Sequence, residues 1–335
     1  MPERREELYA KIDRVSSIAR GFQGAVVLAT AVRLKLFTLL DKEPLNAEQV
    51  AEKLGLEVRA TDIFLHALAG MELVEKVSGK FKNSALADQL LVRGREYYQG
   101  DIILHNANLI TRWLHLPQVL KTGKPAETPR AVDDRQLRRD FILGMSNVAA
   151  LSAQKVAGSI DLASSTRMLD LGGGSGTYAI TFCRLNPNLE AVVFELPQVI
   201  EEITRSQVAG AGMKGRIELL AGDYLKEDLG SGYDLVLVSN IIHSLGEKEN
   251  FLLIQRCFDC MLSRGKIVVK DFLLEENRTR PPMASMFAVN MLTGTDSGGC
   301  YTVGETKEWL ESAGFRQQKL VDISPQARMV VGVKD

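Results

Sequence analysis

Apolar side chains at Leu8, Ile12, Val15, Ile18 and Ala19 recur three and four positions apart. That is the period of one helix face, so residues 6–40 predict one or two amphipathic helices. Residues 47–54 and 58–70 read as two further helices parted by a turn at Gly55. Two extended runs follow, around 73–77 and 80–83, joined by Ser78 and Gly79. Helix, turn, helix and hairpin in that order predict a winged helix. Residues 85–160 stay helical, apart from a turn-rich break at 121–134. After residue 161 the pattern changes to short apolar runs (RMLDLGG, EAVVFEL, RIELLAGD, YDLVLVSN and GKIVVKDFLL) alternating with helical segments. This alternation predicts an α/β fold with a doubly wound sheet, its ligands lying at the carboxyl ends of the strands. The expected domains are therefore a mostly helical one over 1–160 and an α/β one over 161–335.

Charge narrows what the winged helix can do. The chain carries 41 Lys and Arg against 42 Asp and Glu, a net charge of -1. Residues 45–82 hold five basic and six acidic side chains, and the would-be recognition helix VRATDIFLHALAG has one Arg and one Asp. Duplex binding draws on phosphate neutralisation by basic groups, so no nucleic-acid partner is expected and a scaffold or dimerisation role is. The apolar stretch at 24–40 is interrupted by Arg33 and Lys35. It falls short of the ~20 apolar residues of a membrane span, and reads as a helix buried against protein. The N-terminal helices have few partners in their own domain, which predicts a homodimer and no membrane association.

Residues 1–14 are charged throughout, unlike a secretory leader. With four cysteines (Cys183, Cys257, Cys260 and Cys300) this suits a reducing, cytoplasmic location. Cys257 and Cys260 form a CxxC inside the helical pattern FLLIQRCFDCML with no second ligand pair nearby, so core packing is expected and no metal site.

The most informative stretch is MLDLGGGSG, residues 168–176, a strand running into a glycine turn and then a helix. Gly172, Gly174 and Gly176 let backbone approach a ligand closely, and the next helix aims its N-terminus at an anion. Nicotinamide enzymes use a similar turn. Later positions sharpen the reading. Glu195 ends the second strand, followed by Leu196 and Pro197; Gly222, Asp223 and Tyr224 follow the third; and the fourth ends in SNIIH, with Ser239 and His243.

The series DLGGGSG, ELP, GDY and SNIIH resembles the second O-methyltransferase family, which includes plant phenolic, acetylserotonin and bacterial tailoring enzymes. The resemblance covers nearly the whole chain, since that family also has a winged-helix dimerisation domain in front of a Rossmann-like sheet. It implies S-adenosylmethionine as cofactor, with Gly172 and Gly174 under its methionyl part and Asp170 supporting the loop. Glu195 would hold the ribose, where the family more often has Asp. Leu196, Asp223 and Tyr224 would surround the adenine. Ser239 stands where plant members have Lys.

In-line methyl transfer needs an electron-rich atom aligned with the methyl carbon. A phenol (pKa ~10, by analogy with tyrosine) is mostly neutral at pH 7, so a histidine base helps. Of the four histidines only His243 lies just past a strand end beside the expected cofactor site, and it matches the family's catalytic histidine. Asp271, ending KIVVKD, matches one of two family carboxylates that flank it. The second normally lies in a Gly-Gly-x-Glu-Arg-Thr segment; this chain has Gly298, Gly299, Cys300, Tyr301 and Thr302, without the Glu. Phe141 and Met145 match a helix that reaches both ligands in the family. Met283, Met286, Phe287, Asn290 and Met291 lie where the family closes its acceptor pocket, and Cys300 is a further candidate lining residue.

The expected function is methyl transfer to a hydroxyl of a small, aromatic acceptor molecule, with His243 as base and Asp271 as its orienter. Alternatives are carbon methylation or a non-methylating reaction at the same cofactor site, a small-molecule-binding winged-helix regulator, and, from the glycine turn alone, a nicotinamide oxidoreductase.

Overall fold

The N-terminal period folds as one long helix, α1 (Pro2–Arg33), separated from α2 (Leu36–Leu40) by Lys35 in the left-handed conformation. The protein is described from a computed structural model covering residues 2–129, 131 and 133–335, with backbone only at 2–4. Met1 and two positions of the 121–134 break, Arg130 and Val132, lie outside the described residues. The chain forms two compact units, residues 1–108 and 109–335. The division falls ahead of the change in sequence texture at 160, so the helices between 109 and 160 group with the sheet.

In the first unit, α3 (Ala47–Leu54) starts with a capping box between Asn46 and Gln49 and stops at Gly55, where φ is +67°. Helix α4 (Val58–Gly70) follows, then the antiparallel pair β1 (Val74–Val77) and β2 (Lys80–Asn83), and α5 (Ala85–Leu91). This is the helix–turn–helix–hairpin succession expected from the sequence. Phe37, Leu45, Val50, Leu65, Leu68 and Phe81 form its core. Ala29, Ala31, Val32, Leu36 and Leu40 are buried as well, as the apolar run at 24–40 implied. The earlier part of α1 is different: Leu8, Ile12, Val15, Ile18 and Phe22 are exposed, Ile18 to 76%. By length and composition alone, residues 5–33 would also suffice to cross a membrane.

Helix α6 (Gly100–Trp113) runs from the first unit into the second, where α7 (Leu116–Thr122) and α8 (Arg135–Gly158) precede the sheet. Strand β3 (Arg167–Leu171), α9 (Thr177–Leu185), β4 (Glu190–Glu195), α10 (Pro197–Val199), α11 (Arg205–Gly210) and β5 (Ile217–Ala221) form one half. Strand β6 (Tyr233–Ser239), α12 (Glu247–Cys260), β7 (Met261–Asp271), α13 (Pro282–Gly294), α14 (Val303–Ala313), β8 (Phe315–Asp322) and β9 (Arg328–Lys334) form the other. The seven strands lie in the order β5-β4-β3-β6-β7-β9-β8. β3 to β7 are parallel, and β9 runs antiparallel between β7 and β8. The strand order reverses between β3 and β6, which opens a crevice at their carboxyl ends. The five apolar runs read from sequence end at β7, and the pairing of β9 between β7 and β8 has no counterpart among them.

Successive residues on each central strand enter opposite cores. Leu169, Val192, Val236, Ile267 and Val269 pack with α12 and α14. Met168, Val193, Leu237 and Val268 pack with α8 and α9. Burial on both faces explains why these strands read as unbroken apolar runs. Cys257 and Cys260 lie in the first of these cores, with Cys260 Sγ donating to the Cys257 carbonyl.

Candidate active site

The two-residue period of the strands sorts the polar residues at their carboxyl ends. Asp170, Glu195 and Ser239 continue the positions that face α8 and α9. Asp271 continues those that face α12 and α14.

On the first side, β3 enters the glycine turn with Gly172 at φ +61° and Gly174 at +56°. A β-carbon on Gly172 would stand 2.5 Å from Ile241 Cδ1, so the turn lies directly against the end of β6. Asp170 is 1% exposed, and its Oδ2 accepts from the Ala179 amide in the first turn of α9 at 3.2 Å. Burial, with Glu195 nearby, pushes its carboxyl up to about 7 against the amide bond. Glu195 accepts from the Gly174 amide at 2.9 Å and from its neighbour Leu196 at 2.7 Å. Burial raises its pKa as well, and these two amides oppose the rise. Oε2 of Glu195 thus braces the turn, and each carboxylate oxygen still has a lone pair for a ligand.

Tyr224 comes to within 3.7 Å of where a Gly172 β-carbon would be. Burial pushes its phenol up to about 12. Asp223 pairs with Lys226, whose Nζ lies 2.8 Å from its Oδ2, and this pairing holds its pKa low. Ser239 Oγ is enclosed and has no hydrogen-bond partner among the described residues. Ile142 of α8 lies against Gly174, and its neighbour Phe141 packs in one cluster with Leu196. Met145 is partly buried on the same helix.

On the second side, the chain leaves β6 through Asn240, which takes the left-handed conformation at φ +57°. Asparagine tolerates this conformation better than most residues. The Asn240 amide donates to the Lys270 carbonyl, and Lys270 Nζ donates to Asn240 Oδ1. The tied turn delivers His243, whose Nδ1 lies 2.7 Å from Asp271 Oδ1. Asp271 also accepts from the backbone amides of Phe272 and His243. A carboxylate only accepts, so Nδ1 carries a proton, and in the neutral ring Nε2 then presents its lone pair. Phe287 meets the His243 ring edge-on at 4.9 Å between centroids, and Phe272 lies at 6.2 Å.

Where the sequence lacked a second carboxylate, backbone packs instead. Gly299 donates to the His243 carbonyl at 2.9 Å, and a β-carbon on Gly298 would stand 2.4 Å from that oxygen. Cys300 is buried with Phe272, Leu274, Ala284 and Phe287. Burial, with Asp271 nearby, pushes its thiol up to about 12. On α13, Asn290 and Met291 are buried and Met283 half-buried, whereas Met286 is 59% exposed.

Sequence reading missed Ile241, Phe272, Asn240 and Lys270. All four lie within two positions of Ser239, His243 or Asp271, so proximity in the chain could have suggested them. It also missed Arg112 and Trp113, which bond to Asn290 across 178 and 177 positions and leave no local signal.

Residues 123–316 match the model of an O-methyltransferase domain, and residues 16–93 that of an O-methyltransferase dimerisation domain. The chain is 32% identical to 3-hydroxy-5-methyl-1-naphthoate 3-O-methyltransferase of Streptomyces sahachiroi, over 96% of this chain and 94% of the relative. It is 28% identical to the tetracenomycin polyketide synthesis 8-O-methyl transferase TcmO of Streptomyces glaucescens, over 96% of each. Among solved structures, human N-acetylserotonin methyltransferase in complex with SAM superposes with a TM-score of 0.89, over 97% of each chain at 24% identity.

Proposed function

This chain belongs to the O-methyltransferase family, and from that premise we propose that it methylates a hydroxyl of a small aromatic molecule. The methyl donor is S-adenosylmethionine, which when bound supplies an electrophilic methyl group. One observation carries the choice of acceptor: the His243–Asp271 pair, which commits Nδ1 to the carboxylate and leaves the second ring nitrogen for the acceptor, with the rings of Phe272 and Phe287 alongside.

The residues at the strand ends suit that donor. Gly172 has no room for a side chain against Ile241, Glu195 keeps acceptor capacity for ribose hydroxyls, and Ser239 Oγ lacks a partner among the described residues. We assign the turn to the methionyl part, Asp170 to support of the turn, and Leu196, Asp223 and Tyr224 to the adenine. Asp223 would share its carboxylate with Lys226.

In the proposed reaction His243 Nε2 takes the acceptor's proton as the oxygen attacks. Asp271 keeps the imidazole in the required tautomer and stabilises the imidazolium that forms. Phe272, Phe287 and the protonated Cys300 thiol form an apolar wall that excludes water and seats an aromatic ring. Phe141 and Met145 would complete the pocket from α8, with Asn290 and Met286 from α13. A single carboxylate suffices to orient one ring nitrogen.

The dimerisation-domain match and the exposed apolar residues of α1 support a homodimer through the first unit. Four buried free thiols support a reducing, cytoplasmic setting. The test is to incubate purified protein with S-adenosylmethionine and a panel of hydroxylated aromatics, following S-adenosylhomocysteine release and product mass. Methylated product formed by the wild type and not by His243→Ala supports the proposal. Cofactor binding without methylation of any hydroxyl would sink it.

A further inference from the structure

Asn290 is only 6% exposed, and its Oδ1 accepts two hydrogen bonds. Arg112 Nη2 donates at 3.0 Å and Trp113 Nε1 at 3.1 Å. A guanidinium and an indole N–H can only donate. Turning the carboxamide over would set N–H against N–H, so the oxygen must face these two groups. The Nδ2 arm is thereby aimed elsewhere. It has no hydrogen-bond partner among the described residues, and it is not enclosed by protein.

Phe287, three residues earlier, shares the helix face with Asn290 and touches the His243 ring. One helical turn, about 5 Å, therefore separates the residue beside the base from the one that presents an amide. Gly294 makes room for the arrangement, because a β-carbon there would stand 2.2 Å from Arg112 Nη1.

We infer that Arg112 and Trp113 are positioning residues that hold the Asn290 amide with its NH2 toward the acceptor. The protein thereby selects aromatic hydroxyl compounds bearing a second, carbonyl-type oxygen on the ring, which we place meta to the reacting hydroxyl. This deepens the aromatic-hydroxyl reading above and rests on it. A neutral amide donor serves an aldehyde, ketone or carboxylate oxygen alike.

The experiment is isothermal titration of the protein, saturated with S-adenosylhomocysteine, with 2-naphthol and with its 4-formyl and 4-carboxylate derivatives. The wild type should bind both derivatives about tenfold tighter than 2-naphthol, the worth of one well-placed hydrogen bond. Asn290→Asp keeps an oxygen toward Arg112 and Trp113 but turns another to the acceptor. It should bring that ratio to one or below, most sharply for the carboxylate. Arg112→Met and Gly294→Leu should also lower the ratio, whereas Arg112→Lys, which still donates, should retain it. Equal wild-type affinity for the three compounds, or a ratio unmoved by Asn290→Asp, overturns the inference. Preference for the carboxylate without the aldehyde overturns it too, because that points to a cation rather than an amide. Selective binding without methyl transfer to any probe leaves this inference standing and counts against the proposed reaction.

Discussion

Gly172 and Ile241 are packed so closely that a β-carbon on the glycine would stand 2.5 Å from the isoleucine Cδ1. They sit at the ends of adjacent strands where the strand order reverses, and Ile241 lies two residues before His243. Gly172 also has φ +61°, a conformation that costs an L-residue roughly 1–2 kcal/mol. Gly172→Ala should therefore lower stability by about that amount and push Ile241 away. S-adenosylmethionine affinity should fall at least tenfold, read by calorimetric titration. Unchanged affinity would show that the turn does not line the cofactor site.

The 2.7 Å bond between His243 and Asp271 sets the tautomer. Asp271→Asn can offer an N–H to Nδ1, which moves the imidazole proton to Nε2 and blocks the base. Turnover should fall by about 10²–10⁴, as in His243→Ala, with cofactor affinity kept. A more acidic phenol, ionised without help, should recover much of the loss in both variants. If acidic and ordinary phenols lose rate equally, His243 is not acting as a base.

Asp170 links stability to pH. Its carboxyl rises from an ordinary 3.8 to about 7 in the folded state, so the folded form holds the proton more tightly. The stability this brings is complete below about pH 4 and is lost as the pH climbs through 7. The loss is on the order of a few kcal/mol. Buried Glu195 shifts in the same direction. Thermal midpoints of cofactor-free protein should fall over that window, and Asp170→Asn should flatten the slope. Parallel curves for the two proteins would refute the linkage.

Helix α1 presents Ile18 and Phe22 to solvent at 76% and 62% exposure. Ile18→Asp with Phe22→Asp should convert a dimer to monomer by light scattering at micromolar concentration, with the residue 109–335 unit still folded. A wild-type monomer would contradict the proposed assembly. Flotation with lipid vesicles would point instead to the membrane-length character of this helix.

The sequence by itself determined the elements and their order, because helical and strand periods are local properties. Residues 47–54, 58–70, 73–83 and the five apolar runs from 167 to 271 needed no distant partner to be read. It also brought out Asp170, Glu195, His243 and Asp271, since each ends a strand or follows one closely. Only the tertiary structure decided the rest. β9 fits between β7 and β8 through pairings that no local period encodes. The second carboxylate is absent from the sequence, and in space the 298–299 backbone packs against the His243 carbonyl. Met286 lies one turn before Asn290 on α13 and is nonetheless 59% exposed, which its spacing does not foretell. Arg112 and Asn290 meet across 178 positions, and such a contact depends on how α6 and α13 pack. Periodicity reports which face of an element is apolar; packing alone determines what that face meets.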